Sequence, residues 1–439
     1  MKQVRGVPYF ICNAILLAAC IGLIYWTVRL AYASLVSRSR APGAIQRATQ
    51  LDPWNASYFA ELAARSDRTT GAEALRRATE LDPLNSAYWI RRGVSAEFAG
   101  DPKAAERFYL QASRVSRLFG PRIMLANFYF RQGEPEDFWK WAHAAFAMSY
   151  GDLEGAFVLC WQVAPDAQVI LDRALPGNVE VLAQFLGFVI RHAGLEAARP
   201  VAAKLLGKAG RNSQGALLNY CDGLLAAKRP EEAYEVWQGL GRRGLTAAAG
   251  GGGSQNLLYN AGLAATPLAC GFDWRVVSTP EVSAAASGKP GEIGITFSGN
   301  QAEEGEVLSQ VVALRGGASY RFSLAEHTVG SSDPGLTWSV EDADTGRELA
   351  SLAIAATEDW VSREVQFQAA QDSFVRVVLK YRRKAGTVRY EGQVLMRELQ
   401  LARSGPAGPR QDRHGRGTAT GANLLGRAIP ARPGFAGGG

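Results

Sequence analysis

Ala48-Thr-Gln-Leu-Asp-Pro-Trp-Asn55 returns thirty residues later as Ala78-Thr-Glu-Leu-Asp-Pro-Leu-Asn85, and this repeat decides the architecture of the first half of the chain. Proline cannot continue a helix, and asparagine is favoured where the next helix begins. Each copy therefore predicts the end of one helix and the start of another. Helix pairs that recur in this way stack side by side, so the repeat predicts an α-solenoid.

The residues after the second copy resemble a tetratricopeptide repeat. The residues that carry the resemblance are Trp89, Gly93, Gly100-Asp101, Ala105, Tyr109 and Ala112, and then Leu125, Ala126, Tyr129, Gly133-Glu134, Ala142 and Ala145 in the next unit. Helical periodicity continues beyond residue 150, with breaks at Pro176-Gly177 and Gly207–Gly210. We therefore expect a solenoid of about six helix pairs over residues 41–240. The resemblance implies that it binds partner proteins.

A cluster of aromatic residues lies in this region at Phe138, Trp139, Trp141 and Phe146. Spacings of three and four residues are typical of a buried helix face. We expect packing between helices here rather than a ligand groove.

The hydrophobic period changes after a Gly-rich linker at residues 241–255. From there, apolar residues alternate with polar ones, as in Tyr320-Arg-Phe322 and Leu336-Thr-Trp338. Turn signals such as Arg315-Gly-Gly317 separate about eight or nine short strands. This pattern predicts an antiparallel β-sandwich over residues 256–402.

The β-domain resembles the galactose-binding-like jelly roll of carbohydrate-binding modules. The matching residues are Asn256-Leu-Leu-Tyr-Asn260, Gly271-Phe-Asp-Trp274, Leu308-Ser-Gln310, Tyr320-Arg-Phe322 and Trp360, although Leu263 stands where those modules usually have an aromatic residue. Sugar-binding faces combine exposed aromatic rings with polar side chains that reach hydroxyl groups. The resemblance implies a glycan-binding face, for which the candidates are Asp273, Trp274, Arg275 and Trp360. Trp338 is expected in the core because it lies on an alternating apolar stripe.

Residues 7–28 form an uncharged apolar segment that ends at Arg29. A helix of this length can span a bilayer, and Tyr25 and Trp26 suit its interface. The alternative is a signal peptide cleaved near Ala31-Tyr-Ala33, but signal cores are usually shorter. We expect a single-pass anchor in a bacterial inner membrane, with residues 1–6 cytoplasmic and the bulk of the chain periplasmic.

The net charge of +7 lies at the two ends of the chain. Five basic and no acidic residues occur in residues 1–40, and six arginines face one aspartate in residues 403–439, which leaves the central body slightly acidic. This distribution argues against a nucleic-acid-binding surface. The tail at residues 403–439 is expected to be disordered because it contains few apolar residues.

The sequence shows no HExxH, GxSxG, GxGxxG or phosphate-loop motif, and its four histidines and five cysteines are scattered. It predicts no cofactor, no metal site and no enzymatic activity. The fold expected is multidomain α plus β, with a transmembrane helix, an α-solenoid and a jelly roll. The combination of tetratricopeptide-like repeats with this jelly roll resembles bacterial envelope proteins associated with exopolysaccharide systems, and the resemblance implies a membrane adaptor that binds proteins and polysaccharide in exopolysaccharide assembly or export. The alternatives are a purely structural scaffold and a glycan-modifying enzyme.

Overall fold

A computed structural model of the protein describes residues 7–148, 151–246, 255–329 and 332–404. The described residues before 247 form thirteen helices. They are α1 (Val7–Ser37), α2 (Ala44–Leu51), α3 (Ala56–Arg65), α4 (Arg68–Leu81), α5 (Ser86–Phe98), α6 (Pro102–Val115), α7 (Phe119–Gln132), α8 (Pro135–Phe146), α9 (Glu154–Val163), α10 (Ala167–Arg173), α11 (Val179–Leu206), α12 (Arg211–Ala226) and α13 (Pro230–Arg242). The expected cytoplasmic segment 1–6, the basic tail from residue 405 and residues 247–254 of the expected linker lie outside the described residues.

The repeated octapeptide forms the same structure twice, as predicted. It contains the ends of α2 and α4, where the backbone amides of Asp52 and Asp82 donate to the carbonyls four residues earlier. The Asn55 side chain then accepts a hydrogen bond from Ser57 N, and Asn85 accepts one from Ala87 N, both at 3.1 Å. These contacts satisfy amides that a helix start leaves unpaired, so each copy ends one helix and caps the next.

Consecutive helices pack as antiparallel pairs, which confirms the predicted α-solenoid. Helix α3 packs on α4, α5 on α6, α7 on α8 and α12 on α13. In the second of these pairs Gly93 faces the ring of buried Tyr109 so closely that a Cβ atom would lie 2.5 Å from its Cε1. Helix α11 is interrupted at Gly194, whose φ of +85° is not helical, so its two halves act as separate helices. Phe138, Trp139 and Phe146 are buried between helices, as expected.

The described residues after 254 form ten strands. They are β1 (Arg275–Val276), β2 (Val282–Ala286), β3 (Glu292–Ser298), β4 (Glu304–Leu314), β5 (Ala318–Val329), β6 (Leu336–Asp342), β7 (Glu348–Ala353), β8 (Val361–Ala369), β9 (Ser373–Arg382) and β10 (Glu391–Ser404). Two five-stranded sheets result, in the orders β1-β4-β9-β6-β7 and β2-β3-β10-β5-β8. All of their pairings are antiparallel, which confirms the predicted sandwich.

The sandwich has its own core, but it also shares a core with the solenoid. Trp338, Phe322 and Leu379 belong to the apolar layer between the two sheets. Tyr259 and Phe272, although they belong to the β-domain, are buried in the same cluster as the residues of α12 and α13. The two domains therefore meet along an apolar contact.

Helix α1 is long and apolar enough to cross a membrane. The most apolar stretch of 18 residues within Ile11–Ser37 contains no buried residue. Helix α11 also passes this length and composition test, but much of it is buried in the solenoid core. The last turns of α1 pack against α2, and Ala33 is completely buried there. Thus one continuous helix leads from the exposed apolar segment into the first layer of the solenoid.

Candidate functional site

Asp273 and Trp274 lie inside the β-domain rather than on its surface. The exposed fraction of Trp274 is 0% and that of Asp273 is 2%. The Trp274 indole donates to the carbonyl of Asn260 at 3.1 Å, and its ring packs at 6.1 Å from Trp338. The Asp273 carboxylate accepts from the backbone amides of Leu268 and Trp274. Their burial contradicts the expectation that these two residues present a ring and a polar group to sugar.

Arg275 joins the two domains. Its Nη2 lies 2.8 Å from Oδ1 of Asp222 on α12, and its Nη1 donates to the carbonyl of Gly271. The same Asp222 oxygen accepts from the Gly271 amide at 2.7 Å. Both side chains of this ion pair are about one-third exposed, so water screens the attraction and the pair adds little stability. Its main effect is to fix the orientation of the two domains. Arg275 therefore positions the start of the sandwich against the solenoid.

Trp360 lies elsewhere, immediately before β8 at the edge of the other sheet. Its ring is half-buried, with the Arg397 guanidinium 4.1 Å from its centroid and the His327 ring at 5.7 Å. The structure thus does not bring Trp360 together with Arg275. A sugar-binding role of Trp360 stays a prediction.

Five aromatic side chains form the seam between the domains. Tyr234 and Trp237 come from α13, Tyr259 and Phe272 from the segment before β1, and Phe374 from β9. Ring centroids are 5.1 Å apart for Tyr234 and Phe272, and 5.6 Å apart for Trp237 and Tyr259. Aromatic pairs at such distances contribute beyond the area that they bury.

Gly271 is required at this seam for two reasons. Its φ of +58° is a left-handed conformation, and a Cβ atom would lie 2.5 Å from the Trp237 ring. The sequence alone showed Gly271 as part of a jelly-roll motif. Its contact partner lies on α13 and could not be inferred from that motif.

A cavity of about 540 Å³ opens beside the seam and is lined by both domains. The solenoid contributes Lys228 and Glu231 near the turn between α12 and α13, and the sandwich contributes Arg275, Phe374 and Arg376. The remaining polar residues of the wall are Ser309, Asp342, Asp344, Thr345, Gln371, Asp372 and Ser373. Its size is that of a small-molecule pocket, and domain interfaces are a common place for one.

Ion pairs arrange the charged groups around this cavity. The Lys228 ammonium lies 3.8 Å from Oδ1 of Asp344 and so links the two domains across the opening. Arg376 is held by Glu306 at 2.8 Å and by Glu341 at 3.7 Å. The guanidinium is still about one-third exposed, so it keeps donors for a ligand. The wall contains both acidic and basic groups, which can accept from and donate to hydroxyl groups.

The cavity carboxylate of Asp342 is held in its charged form. Hydrogen bonds from the backbone and the hydroxyl of Thr345 lower its pKa. At the nearby seam, burial raises the pKa of the Cys221 thiol to about 12 and that of Cys270 to about 11. Thiols with such pKa values are poor nucleophiles at neutral pH. Among the described residues no group of three or more His, Cys, Asp and Glu side chains could hold a metal ion.

The residues that line this cavity were mostly missed by the sequence analysis. Lys228, Glu231 and Arg376 lie in ordinary helix-turn and strand contexts, where charged residues are common. Arg275 was singled out, but as the neighbour of a tryptophan that proves to be buried. The one available signal was the position of Phe374 and Arg376 on the opposite face of β9 from the apolar residues Val375 and Val377, which follows from residue order.

The sequence matches no protein-family model, and no curated protein matches it significantly. Among solved structures, a family 4 carbohydrate-binding module (CBM4) is similar to 34% of this chain over 99% of its own length, at 11% identity and a TM-score of 0.27. A family 61 module in complex with β-1,4-galactotriose is similar to 34% of the chain over its whole length, at 16% identity and a TM-score of 0.25. YrrB, a TPR protein with an unusual peptide-binding site, is similar to 45% of the chain over 91% of its own length, at 14% identity and a TM-score of 0.23. These TM-scores are low, and the fold types rest on the helix pairs and strand orders described above.

Proposed function

We propose that this protein is a membrane-anchored, non-catalytic adaptor. Its solenoid binds a partner protein, its sandwich binds a glycan, and the pair serves exopolysaccharide assembly or export at a bacterial inner membrane. One observation carries this proposal: the exposed apolar helix packs on the solenoid, and the solenoid packs on the β-sandwich. The apolar helix, the surface of the solenoid and the polar cavity therefore have fixed positions relative to one another.

The packing of α1 supports an anchor over a cleaved signal peptide. Cleavage at the small residues near Ala33 would remove a side chain that is completely buried against the solenoid. It would also remove Arg29, whose guanidinium donates to the carbonyl of Gln50 on α2 at 3.2 Å. Signal peptides leave after export and are not expected to complete the core of the mature protein.

Exposed aromatic residues on the solenoid support a protein partner. Phe98, at the end of α5, is 74% exposed, and Phe130 on α7 is 37% exposed. Glu97 and Arg131, which are next to these two residues in the sequence, form an ion pair at 2.7 Å that joins α5 to α7. Exposed aromatic rings and an arginine on neighbouring helices are what a protein-binding surface presents, because aromatic and arginine side chains dominate such contacts.

The junction cavity supports a glycan ligand. Phe374 offers an apolar surface for the C–H face of a sugar, while Arg275, Arg376, Glu231 and Asp344 can form hydrogen bonds with its hydroxyl groups. We place the site here rather than at Trp360, where Arg397 already stacks on the ring. Hydrogen bonds stabilise the charged form of the Asp342 carboxylate, which makes this residue a poor candidate for the protonated carboxyl group that glycoside hydrolysis needs.

Titration of the full-length protein in nanodiscs with bacterial polysaccharides and their oligosaccharides tests the glycan site. We expect Arg376→Ala to weaken binding at least about tenfold, since hydrogen bonds from a charged group contribute roughly 1.5–3 kcal/mol. Arg321→Ala is the matched control because this arginine lies on the other sheet, where it pairs with Glu364. Loss of binding in Trp360→Ala but not in Arg376→Ala would show that the glycan site lies at Trp360 on the other sheet.

Photo-crosslinking in cells tests the protein-binding arm of the proposal. A crosslinker that replaces Phe98 is expected to capture a discrete partner, whereas one at the exposed Lys103 beyond the next turn is not. Equal capture at both positions would contradict a specific surface at Phe98.

The second candidate is a purely structural scaffold that binds no sugar. The aromatic seam favours it, because Phe272, Tyr259 and Phe374 are used to attach the sandwich to the solenoid. Absence of glycan binding by the wild-type protein, together with crosslinking at Phe98, would select the scaffold. Turnover of a polysaccharide would instead select the third alternative, a glycan-modifying enzyme.

A further inference from the structure

The exposed apolar part of α1 runs directly into the part that packs on the solenoid, with no spacer between them, and Leu30, Tyr32 and Leu35 in that second part are exposed as well. From Ile11 to Val28 the large apolar side chains are exposed, as are Tyr25 at 61% and Trp26 at 47%. Contact with the solenoid starts at Arg29, whose guanidinium reaches the carbonyl of Gln50. If α1 spans a bilayer, the first helix pair therefore stands directly at the membrane surface.

The α1–α2 pair sets the height of the next turn relative to α1. Because only residues 38–43 connect α1 to α2, the two helices run antiparallel, and the Arg29–Gln50 hydrogen bond places the end of α2 within the reach of an arginine side chain from Arg29. Trp26 lies three residues before Arg29, about 4.5 Å farther along the helix axis. After Leu51, the last residue of α2, the chain continues towards the level of Trp26 and reaches Trp54. Trp54 is thus near the level of Tyr25 and Trp26, where tryptophan and tyrosine prefer the headgroup region.

Trp54 is the first of three exposed apolar residues at equivalent turns. It is 73% exposed, Leu84 in the second copy of the octapeptide is 77% exposed, and Leu118 in the following turn is 56% exposed. Each follows an even-numbered helix, namely α2, α4 and α6. In a stack of antiparallel helices these turns lie along one edge, opposite the turns at residues 66–67 and 99–101. We call these three residues the exposed turn row.

Packing within the protein does not explain the exposed turn row. The turn is already held by the Asn55 and Asn85 caps and, in the second copy, by the Trp89 indole that donates to the carbonyl of Pro83 at 2.8 Å. Polar residues are the usual choice at such turns. Exposed apolar residues that recur at the same position of successive repeats, on the edge next to the apolar part of α1, are typical of a surface that contacts a membrane.

We propose that the exposed turn row docks on the surface of the same bilayer that α1 spans, with Trp54 and Leu84 inserted among the lipid headgroups. This inference rests on the proposed anchor function. It commits to lipid as the occupant because the row continues the exposed apolar surface of α1. Docking holds the solenoid helices upright on the membrane and points the opposite edge away from it.

Depth-dependent fluorescence quenching of the full-length protein in phosphatidylcholine–phosphatidylglycerol nanodiscs tests the docking. Cys12, Cys20 and Cys270 are replaced by serine, while Cys160 and Cys221 are buried and remain. An NBD probe is then attached to Leu84→Cys or, as the control on the opposite edge, to Lys103→Cys. Both positions are exposed, so neither label should disturb folding, which circular dichroism verifies.

We expect a headgroup nitroxide lipid to quench the Leu84 probe at least threefold more than the Lys103 probe. A probe at Ile21→Cys reports on the anchor through a nitroxide deep in the acyl chains. Equal quenching at Leu84 and Lys103, with Ile21 quenched, would overturn the docking and leave the anchor in place. Absence of quenching at Ile21 would contradict the proposed membrane anchor and therefore this inference as well.

Discussion

At the scale of single residues, two close contacts in this protein depend on glycines that face aromatic rings. Gly93 permits α5 to approach the ring of Tyr109, and Gly271 permits the β-domain to approach Trp237. Tyr109 cannot easily retreat, because its hydroxyl donates to Glu97 at 2.6 Å and its ring is completely buried. Burial, and next the hydrogen bond to Glu97, raise the pKa of this phenol, so it remains a donor at all ordinary pH values.

Gly93→Ala should destabilise the solenoid by about 1–3 kcal/mol, because the new methyl group overlaps the Tyr109 ring and the core must shift. Gly215→Ala is the matched control, since Gly215 lies within α12 with no atom near its missing Cβ. That change should stabilise the protein by up to about 1 kcal/mol through helix propensity. Urea denaturation followed by circular dichroism measures both, and equal stability of the two variants would contradict the close approach.

At the scale of elements, the α12–α13 pair is the part of the solenoid that receives the sandwich. Trp237 and Tyr234 on α13 contact Phe272 and Phe374, while Asp222 on α12 binds Arg275. Trp237 and Phe272 are buried and Tyr234 and Phe374 partly buried, so the aromatic contacts supply most of the stabilisation, whereas the partly exposed ion pair mainly sets the orientation. The cavity walls come from both elements, so the shape of the cavity depends on the integrity of this seam.

Phe272→Ala should uncouple the two domains. The side chain is completely buried, and such a truncation costs about 3–5 kcal/mol. We expect a single calorimetric unfolding transition in the wild type and two in the variant, because the seam no longer links the two cores. Phe98→Ala removes an aromatic ring that is 74% exposed and should leave the transition unchanged. Coincident unfolding of both domains in Phe272→Ala would show that the seam is not what couples them.

At the scale of the whole molecule, the continuity of α1 with the solenoid decides how the chain meets its surroundings. A flexible spacer would let the solenoid move independently of the apolar part of α1, but the buried Ala33 and the Arg29–Gln50 contact leave no such spacer. The solenoid in turn holds the sandwich through the seam. If α1 spans a bilayer as proposed, this arrangement holds the two proposed binding surfaces at defined positions relative to that bilayer.

The mature protein should therefore retain residues 1–33. Intact-mass measurement of the protein purified from membranes, with an N-terminal epitope tag followed by immunoblotting, should show the full chain. Loss of the segment that ends near Ala33 would identify a signal peptide instead.

A reporter fused after residue 60 should be active only on the exported side, and activity confined to the cytoplasm would reverse the orientation.

The sequence was sufficient for those features that are encoded locally. Two copies of one octapeptide predicted helix ends and caps at Asn55 and Asn85, since a helix boundary depends on proline and on a side chain two residues from the amide that it caps. Alternation around Tyr320 and Trp338 predicted strands for the same reason, because the faces of a strand follow directly from residue order. The helical half, the β-sandwich and the apolar N-terminal helix could all be predicted in this way.

The tertiary structure alone decided where the candidate site lies. Trp274 and Asp273 have the composition of a sugar-binding pair, yet they are buried, while Arg275 beside them reaches Asp222 on another domain. The cavity joins Lys228 and Arg376, which are far apart in the chain and which no motif connects. Local patterns encode which residues a helix or strand buries, but the contact between two finished domains depends on the shapes of surfaces that exist only after each has folded.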